Sequence, residues 1–95
     1  MARILVTNDD GIHSKGLYVL ARAAGDVGEA FVVAPEKPKS TTGLGMTLHK
    51  PLRVKKTRYC TRCYAISGTP SDVVHMAVNV ISGPVDLVLS GINVG

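Results

Sequence analysis

Apolar positions in this chain change their spacing from segment to segment, and the changes divide it into elements. Ile4, Leu5 and Val6 follow one another without interruption in Arg3-Ile4-Leu5-Val6-Thr7, as expected of a strand buried on both faces in a parallel sheet. Beyond the turn Asn8-Asp9-Asp10-Gly11, Leu17, Leu20, Ala21 and Ala24 recur at i, i+3, i+4 and i+7. That stripe predicts an amphipathic helix, which Gly25 is placed to end. Glu29-Ala30-Phe31-Val32-Val33-Ala34 is again continuous and stops at Pro35, so the first third of the chain is one β-α-β unit. Such units are right-handed with rare exceptions and deliver their loops to the C-terminal edge of the sheet.

Between Pro35 and Gly45 the pattern disappears into prolines, glycines and Ser40-Thr41-Thr42, a loop composition suited to lying over a site. Met46, Leu48, Leu52 and Val54 then alternate with Thr47, His49, Arg53 and Lys55, with Lys50 out of step. Period two predicts a strand, and Cys63 to Ser67 is expected to return antiparallel to it, giving a hairpin at about 46–66 with Pro51 near an edge. Ser67-Gly68-Thr69-Pro70-Ser71-Asp72 carries a helix start, with Thr69 as N-cap, Pro70 at the first helical position and Asp72 in the first turn. The helix is predicted to run to about Ser82, with Val73, Val74, Ala77, Val78, Val80 and Ile81 on its apolar face and His75, Asn79 and Ser82 opposite. Gly83-Pro84 breaks it, and Asp86 to Ser90 forms a last strand. If that strand is parallel, it brings Gly91-Ile92-Asn93 to the edge that receives Asp9 and Asp10.

Composition narrows the class. The chain has 95 residues, 45% hydrophobic and 19% charged, which suits one globular domain or part of one. The most apolar run, Val73–Ile81, is interrupted by His75 and Asn79 and falls short of the ~20 residues of a membrane span. No membrane partner and a cytoplasmic location are the expectation. The net charge of +4 is unevenly spread, because eight of the eleven Lys and Arg residues fall between Lys37 and Arg62, a window without Asp or Glu. A solvated hairpin face accounts for such a window; a field that draws in phosphate esters, or weak polyanion binding through Lys37–Arg62, is the functional alternative.

The chemistry concentrates at Asn8-Asp9-Asp10. Two adjacent carboxylates at the end of a buried strand repel each other and lose hydration, which a hard divalent cation relieves. Magnesium or manganese takes oxygen ligands, and Ser40 and Asn93 are oxygen donors that the inferred topology brings to the same edge. A tight turn whose Asp residues cap the next helix explains the same spacing equally well. Nearby His13 is either a phosphate contact or a cap. Cys60-Thr61-Arg62-Cys63 lacks a second cysteine pair for a zinc site; two unpaired hairpin cysteines are the simpler reading and a disulfide the alternative.

Taken in order, Ile4-Leu5-Val6-Thr7-Asn8-Asp9-Asp10-Gly11-Ile12, Val33-Ala34-Pro35-Glu36 with its Ser-bearing loop, Ser67-Gly68-Thr69-Pro70-Ser71-Asp72 and Ser90-Gly91-Ile92-Asn93 resemble the SurE family of nucleotidases along the whole chain. The resemblance implies a Rossmann-like three-layer α/β sandwich, mainly parallel and extended by the hairpin. It implies one divalent metal held by Asp9, Asp10, Ser40 and Asn93, and hydrolysis of nucleoside 5′- and 3′-monophosphates or other small phosphate esters. Asp9, Asn8 and Asp10 are then the catalytic candidates, and Asn8, Ser40, Ser67, Gly68 and Thr69 the substrate contacts. A homodimer or homotetramer is implied as well. Lys15 departs from the family's usual Pro before Gly16, which predicts a looser helix start or a lysine facing substrate.

Two other classes fit parts of the pattern. A magnesium-binding receiver-like module also places an acidic pair after its first strand, but needs a phosphorylatable Asp about two strands later, and no acidic residue occurs between Glu36 and Asp72. A basic nucleic-acid-binding module would make Lys37–Arg62 the function. Residues 1–95 are expected to be the N-terminal part of a single domain of a longer polypeptide, since three parallel strands and two helices leave a sheet edge open.

Overall fold

A computed structural model describes residues 2–36, 53–68 and 70–92. Its elements are β1 (Arg3–Thr7), α1 (Lys15–Gly25), β2 (Glu29–Pro35), β3 (Val54–Lys56), β4 (Cys63–Ile66), α2 (Pro70–Met76) and β5 (Leu87–Ser90). The strands form one sheet in the order β3-β4-β2-β1-β5. β4, β2, β1 and β5 are mutually parallel, and β3 joins antiparallel at one side.

Strand alternation sorts the apolar residues into two cores. Ile4 and Val6 of β1, Val32 and Ala34 of β2, and Cys63 and Ala65 of β4 face Leu17 and Ala24 of α1. Leu5, Val33 and Ile66 point the other way, to Val73 and Ala77. Helices therefore cover both faces, the three-layer arrangement that continuous apolar strands demand. β2 takes in Pro35 as its last residue, where the ladder needs no further N–H; its carbonyl instead accepts from Ile12 N at 2.8 Å.

The hairpin differs from expectation. β3 pairs antiparallel with β4 as predicted, Val54 opposite Ile66 and Lys56 opposite Tyr64, but β4 is no extension. It lies parallel against β2, Val32 opposite Cys63 and Pro35 opposite Ile66, with Cys63, Ala65 and Ile66 buried. Cys63-Tyr64-Ala65-Ile66 is apolar on both faces, so it belongs inside the sheet; exposed Val54, Lys55 and Lys56 form the edge strand. The predicted strand at 46–52 lies outside the described residues.

The second helix also departs from its simple stripe. After Met76 the chain makes a π-helical turn over Ala77–Ile81, and Ser82 N donates to Ala77 O at 2.8 Å, five residues back. The wider turn rotates Val80 to solvent, 63% exposed, and buries Ser82, whose hydroxyl also reaches Ala77 O. Both reverse the predicted faces, whereas His75 and Asn79 are exposed as expected. Asp86 stands outside β5 and latches it to β1: its N–H donates to Arg3 O, and its carboxylate accepts from Arg3 N, both at 2.8 Å.

Candidate functional site

Parallel register brings four strand ends to one edge. Thr7 lies opposite Ser90, and Pro35 opposite Ile66, so the residues after β1, β2, β4 and β5 all emerge there. The chain order steps from β1 to β2 to β4 and then crosses back to place β5 on the other side of β1. That reversal puts the topological switch point between β1 and β5, where open α/β sheets hold their ligands. Asn8, Asp9 and Asp10 leave β1 at this point, and Gly91 and Ile92 leave β5.

The loop carrying the two carboxylates is closed on itself. Asn8, 1% exposed, accepts from Gly11 N with Oδ1 and donates from Nδ2 to Gly11 O, each at 3.1 Å. Gly11 has φ 105°, a conformation open to glycine at little cost. Ser14 N donates to the same Gly11 carbonyl, and the Tyr18 hydroxyl donates to Ile12 O. Within this frame Asp9 is exposed and Asp10 half-buried.

β5 is tied in from the other side. Gly91 N donates to Thr7 O at 2.8 Å. Ile92 passes so close to α1 that a Cβ on Gly16 would stand 2.6 Å from its carbonyl oxygen. Gly16, the second residue of α1, thus lets Ile92 pass close beside the helix start. Lys15 is exposed as the first residue of that helix, and Ser14 precedes it in extended conformation without a side-chain cap.

Of the other predicted site residues, Ser67 and Gly68 follow β4 at the same edge and are half-buried. The Ser67 hydroxyl accepts from Arg53 N at 2.8 Å, and its N–H donates to Arg53 O at 3.0 Å, so the hairpin engages it first. Ser40, Thr69 and Asn93 lie outside the described residues. His13 is exposed, with Nδ1 2.6 Å from the Tyr59 hydroxyl.

Sequence reasoning missed the two tyrosines that surround this loop. Tyr59 packs against Tyr18 with ring centroids 5.2 Å apart and planes tilted by 45°, and meets His13 edge-on at 5.6 Å. Burial, and then the neighbouring Tyr59, push the Tyr18 pKa up to about 12. Tyr18 lies off the predicted apolar stripe, and Tyr59, in the basic window, suggests only a base-stacking ring and not a partner for His13; hydroxyl-bearing rings in a chain with 4% aromatics were the available signal. Cys60 and Cys63 are joined as a disulfide, against the simpler expectation of unpaired cysteines, and Cys63 is a core residue of β4 and not part of a hairpin tip.

As a metal site, the described part of the edge offers hard oxygen donors of the kind magnesium and manganese accept. Among the described residues no three His, Cys, Asp or Glu side chains converge as a ready cage. Asp9 and Asp10 therefore fit as part of a ligand set.

Residues 4–95 match the family model described as "Survival protein SurE". The chain is 60% identical over 94 residues to the 5'-nucleotidase SurE of Thermofilum pendens, covering 98% of this chain and 36% of that protein. It is 50% identical over 97 residues to the 5'-nucleotidase SurE of Dehalococcoides mccartyi, covering 98% and 37%. The crystal structure of SurE from Aquifex aeolicus superposes with a TM-score of 0.82 at 40% identity, over 96% of this chain and 37% of that one. The chain thus spans somewhat more than a third of the length of these relatives.

Proposed function

Because this chain belongs to the SurE family, we propose that it supplies the metal-carrying part of a divalent-metal-dependent phosphatase that hydrolyses nucleoside 5′- and 3′-monophosphates to nucleoside and phosphate. The observation that carries the reading is the convergence of Asn8-Asp9-Asp10 and Gly91-Ile92 at the switch point between β1 and β5. The relatives named 5'-nucleotidase support the substrate class.

In this reading Asp9, Asp10, Ser40 and Asn93 hold one magnesium or manganese ion, which when bound supplies Lewis-acid polarisation of the phosphoryl group. Asn8 fixes the loop through Gly11 and so presents Asp9 and Asp10 at the edge. Backbone N–H groups at the start of α2, with Ser67, Gly68 and Thr69, contribute fixed positive dipole to the phosphate. A water in line with the leaving oxygen attacks phosphorus, so no covalent nucleophile is needed. Arg53, Lys55, Lys56 and Arg58 are exposed and draw anionic esters toward the edge. Assembly as a homodimer or homotetramer belongs to the same proposal, and sedimentation of the full-length polypeptide tests it.

The deciding experiment strips metal from the full-length polypeptide, restores magnesium or manganese, and measures phosphate release from a panel of nucleoside 5′- and 3′-monophosphates. Asp9→Asn and Asp10→Asn are each expected to lower metal-dependent release by at least ~100-fold, in the range that a lost charge at a metal-assisted phosphoryl site costs. Circular dichroism of both variants is expected to remain native. Near-normal turnover with metal present would refute the metal site, and loss of folding would return the pair to a capping role.

A further inference from the structure

One contact at the Asp loop has no part in the reading above. The turn between β3 and β4 sets Tyr59 against both Tyr18 of α1 and His13. Its hydroxyl lies 2.6 Å from His13 Nδ1, three residues beyond Asp10. The turn is short and heavily tied: Thr57 N donates to Cys63 O at 2.8 Å, Thr57 Oγ1 reaches the same carbonyl, and Tyr59 N donates to Thr57 Oγ1. The Cys60–Cys63 disulfide closes it one residue after Tyr59. Cys63 is fully buried in β4, whereas Cys60 is exposed between Arg58 and Arg62.

We propose that Tyr59 is a positioning residue for His13 and the Asp9-Asp10 loop, and that the Cys60–Cys63 disulfide makes this positioning redox-dependent. In the oxidised protein the closed turn presents the Tyr59 ring to Tyr18 and its hydroxyl to His13. Tyr18 in turn bonds Ile12 O, so both ends of Ile12-His13 are held. Cys60 is the exposed partner of the pair and therefore the one a dithiol reductant reaches. A reductant thiolate attacks Cys60 Sγ, the Cys63 sulfur leaves and takes up a proton, and the second reductant thiol then displaces Cys60. The reductant ends as a disulfide and both cysteines as thiols. The freed turn no longer fixes Tyr59, and the loop loses that restraint. The functional consequence rests on the metal-site reading; the coupling itself does not.

The test uses the oxidised full-length polypeptide, first without metal. Reduction by dithiothreitol, Tyr59→Phe, and Cys60→Ser, which leaves Cys63 in its core position, are each expected to shift the His13 imidazole resonances. Each is also expected to speed amide exchange at Gly11 and Ile12 by about two- to tenfold, the span that one neutral hydrogen bond is worth. Calorimetric titration with manganese is expected to show affinity lowered by a similar factor on reduction. By linkage, manganese must then shift the disulfide's equilibrium with dithiothreitol by that same factor. Unchanged His13 signals and exchange in a protein whose thiols have been freed would overturn the proposal, as would a manganese affinity indifferent to reduction. Failure of the oxidised protein to bind manganese at all would sink the metal reading, while the exchange measurement would still decide the clamp.

Discussion

The two flanks of β1 are built differently. Toward β2 the sheet continues through β4, helices lie on both faces, and Leu5, Val33 and Ile66 are wholly buried. Toward β5, the last strand among the described residues, Leu87 and Val88 are 47% and 45% exposed within residues 1–95. The candidate site sits on the seam. Its carboxylates hang from the well-packed flank, and its other wall, Gly91-Ile92, is held by the backbone bond from Gly91 N to Thr7 O and the close approach of Gly16. Cavity costs follow burial, so the two flanks are expected to answer truncation unequally.

Within residues 1–95, Leu5→Ala is expected to lower unfolding stability by about 2–5 kcal/mol, the cost of removing a fully buried leucine side chain, and Leu87→Ala by no more than about 1 kcal/mol. Urea unfolding of the two variants checks the difference; equal losses would mean that β5 is as deeply packed as β2. Gly16→Ala probes the seam itself, because the new methyl meets Ile92 O at 2.6 Å. A loss of about 1–3 kcal/mol is expected from such overpacking, together with amide shifts at Gly91 and Ile92. Retained stability and unmoved β5 signals would show that the two flanks are not braced through α1.

The smallest effect concerns pH. Tyr18 has its pKa raised from 10.0 to about 12 in the folded chain, so the folded state holds this proton more tightly than the unfolded one. Its contribution is fully present below pH 10 and is lost as pH rises through about 12. Tyr18→Phe is expected to flatten the fall of stability between pH 10 and 12 relative to wild type, at the expense of the bond to Ile12 O. An identical slope in both proteins would remove Tyr18 as its source.

How far these features were legible in the sequence depends on whether they were local. β1, α1 and β2 follow from uninterrupted or helically spaced apolar residues, and the acidic pair announces itself by electrostatics alone. The membership of β4 in the main sheet does not, because antiparallel pairing with β3 and parallel pairing with β2 ask for the same apolar Cys63-Tyr64-Ala65-Ile66. The π-helical turn at Ala77–Ile81 inserts one residue that no periodicity encodes. The motif marks Ser67 as a substrate contact, but the bond its hydroxyl accepts from Arg53 N exists only once the hairpin forms. His13 and Tyr59 are 46 residues apart in sequence, and only the fold joins them.

The closed ring of Asn8 and Gly11 also limits how much charge this edge can carry. Oδ1 faces a donor and Nδ2 faces an acceptor, both within the buried loop, so position 8 must be amphoteric in hydrogen bonding. An ionised aspartate there would set one carboxylate oxygen against the Gly11 carbonyl, two lone pairs meeting with no proton between them. Neutral asparagine is thus the isostere that the ring selects, and it excludes a third anion at position 8 beside Asp9 and Asp10. The valence of the site, two formal negative charges from this loop, is written into the backbone turn that presents them.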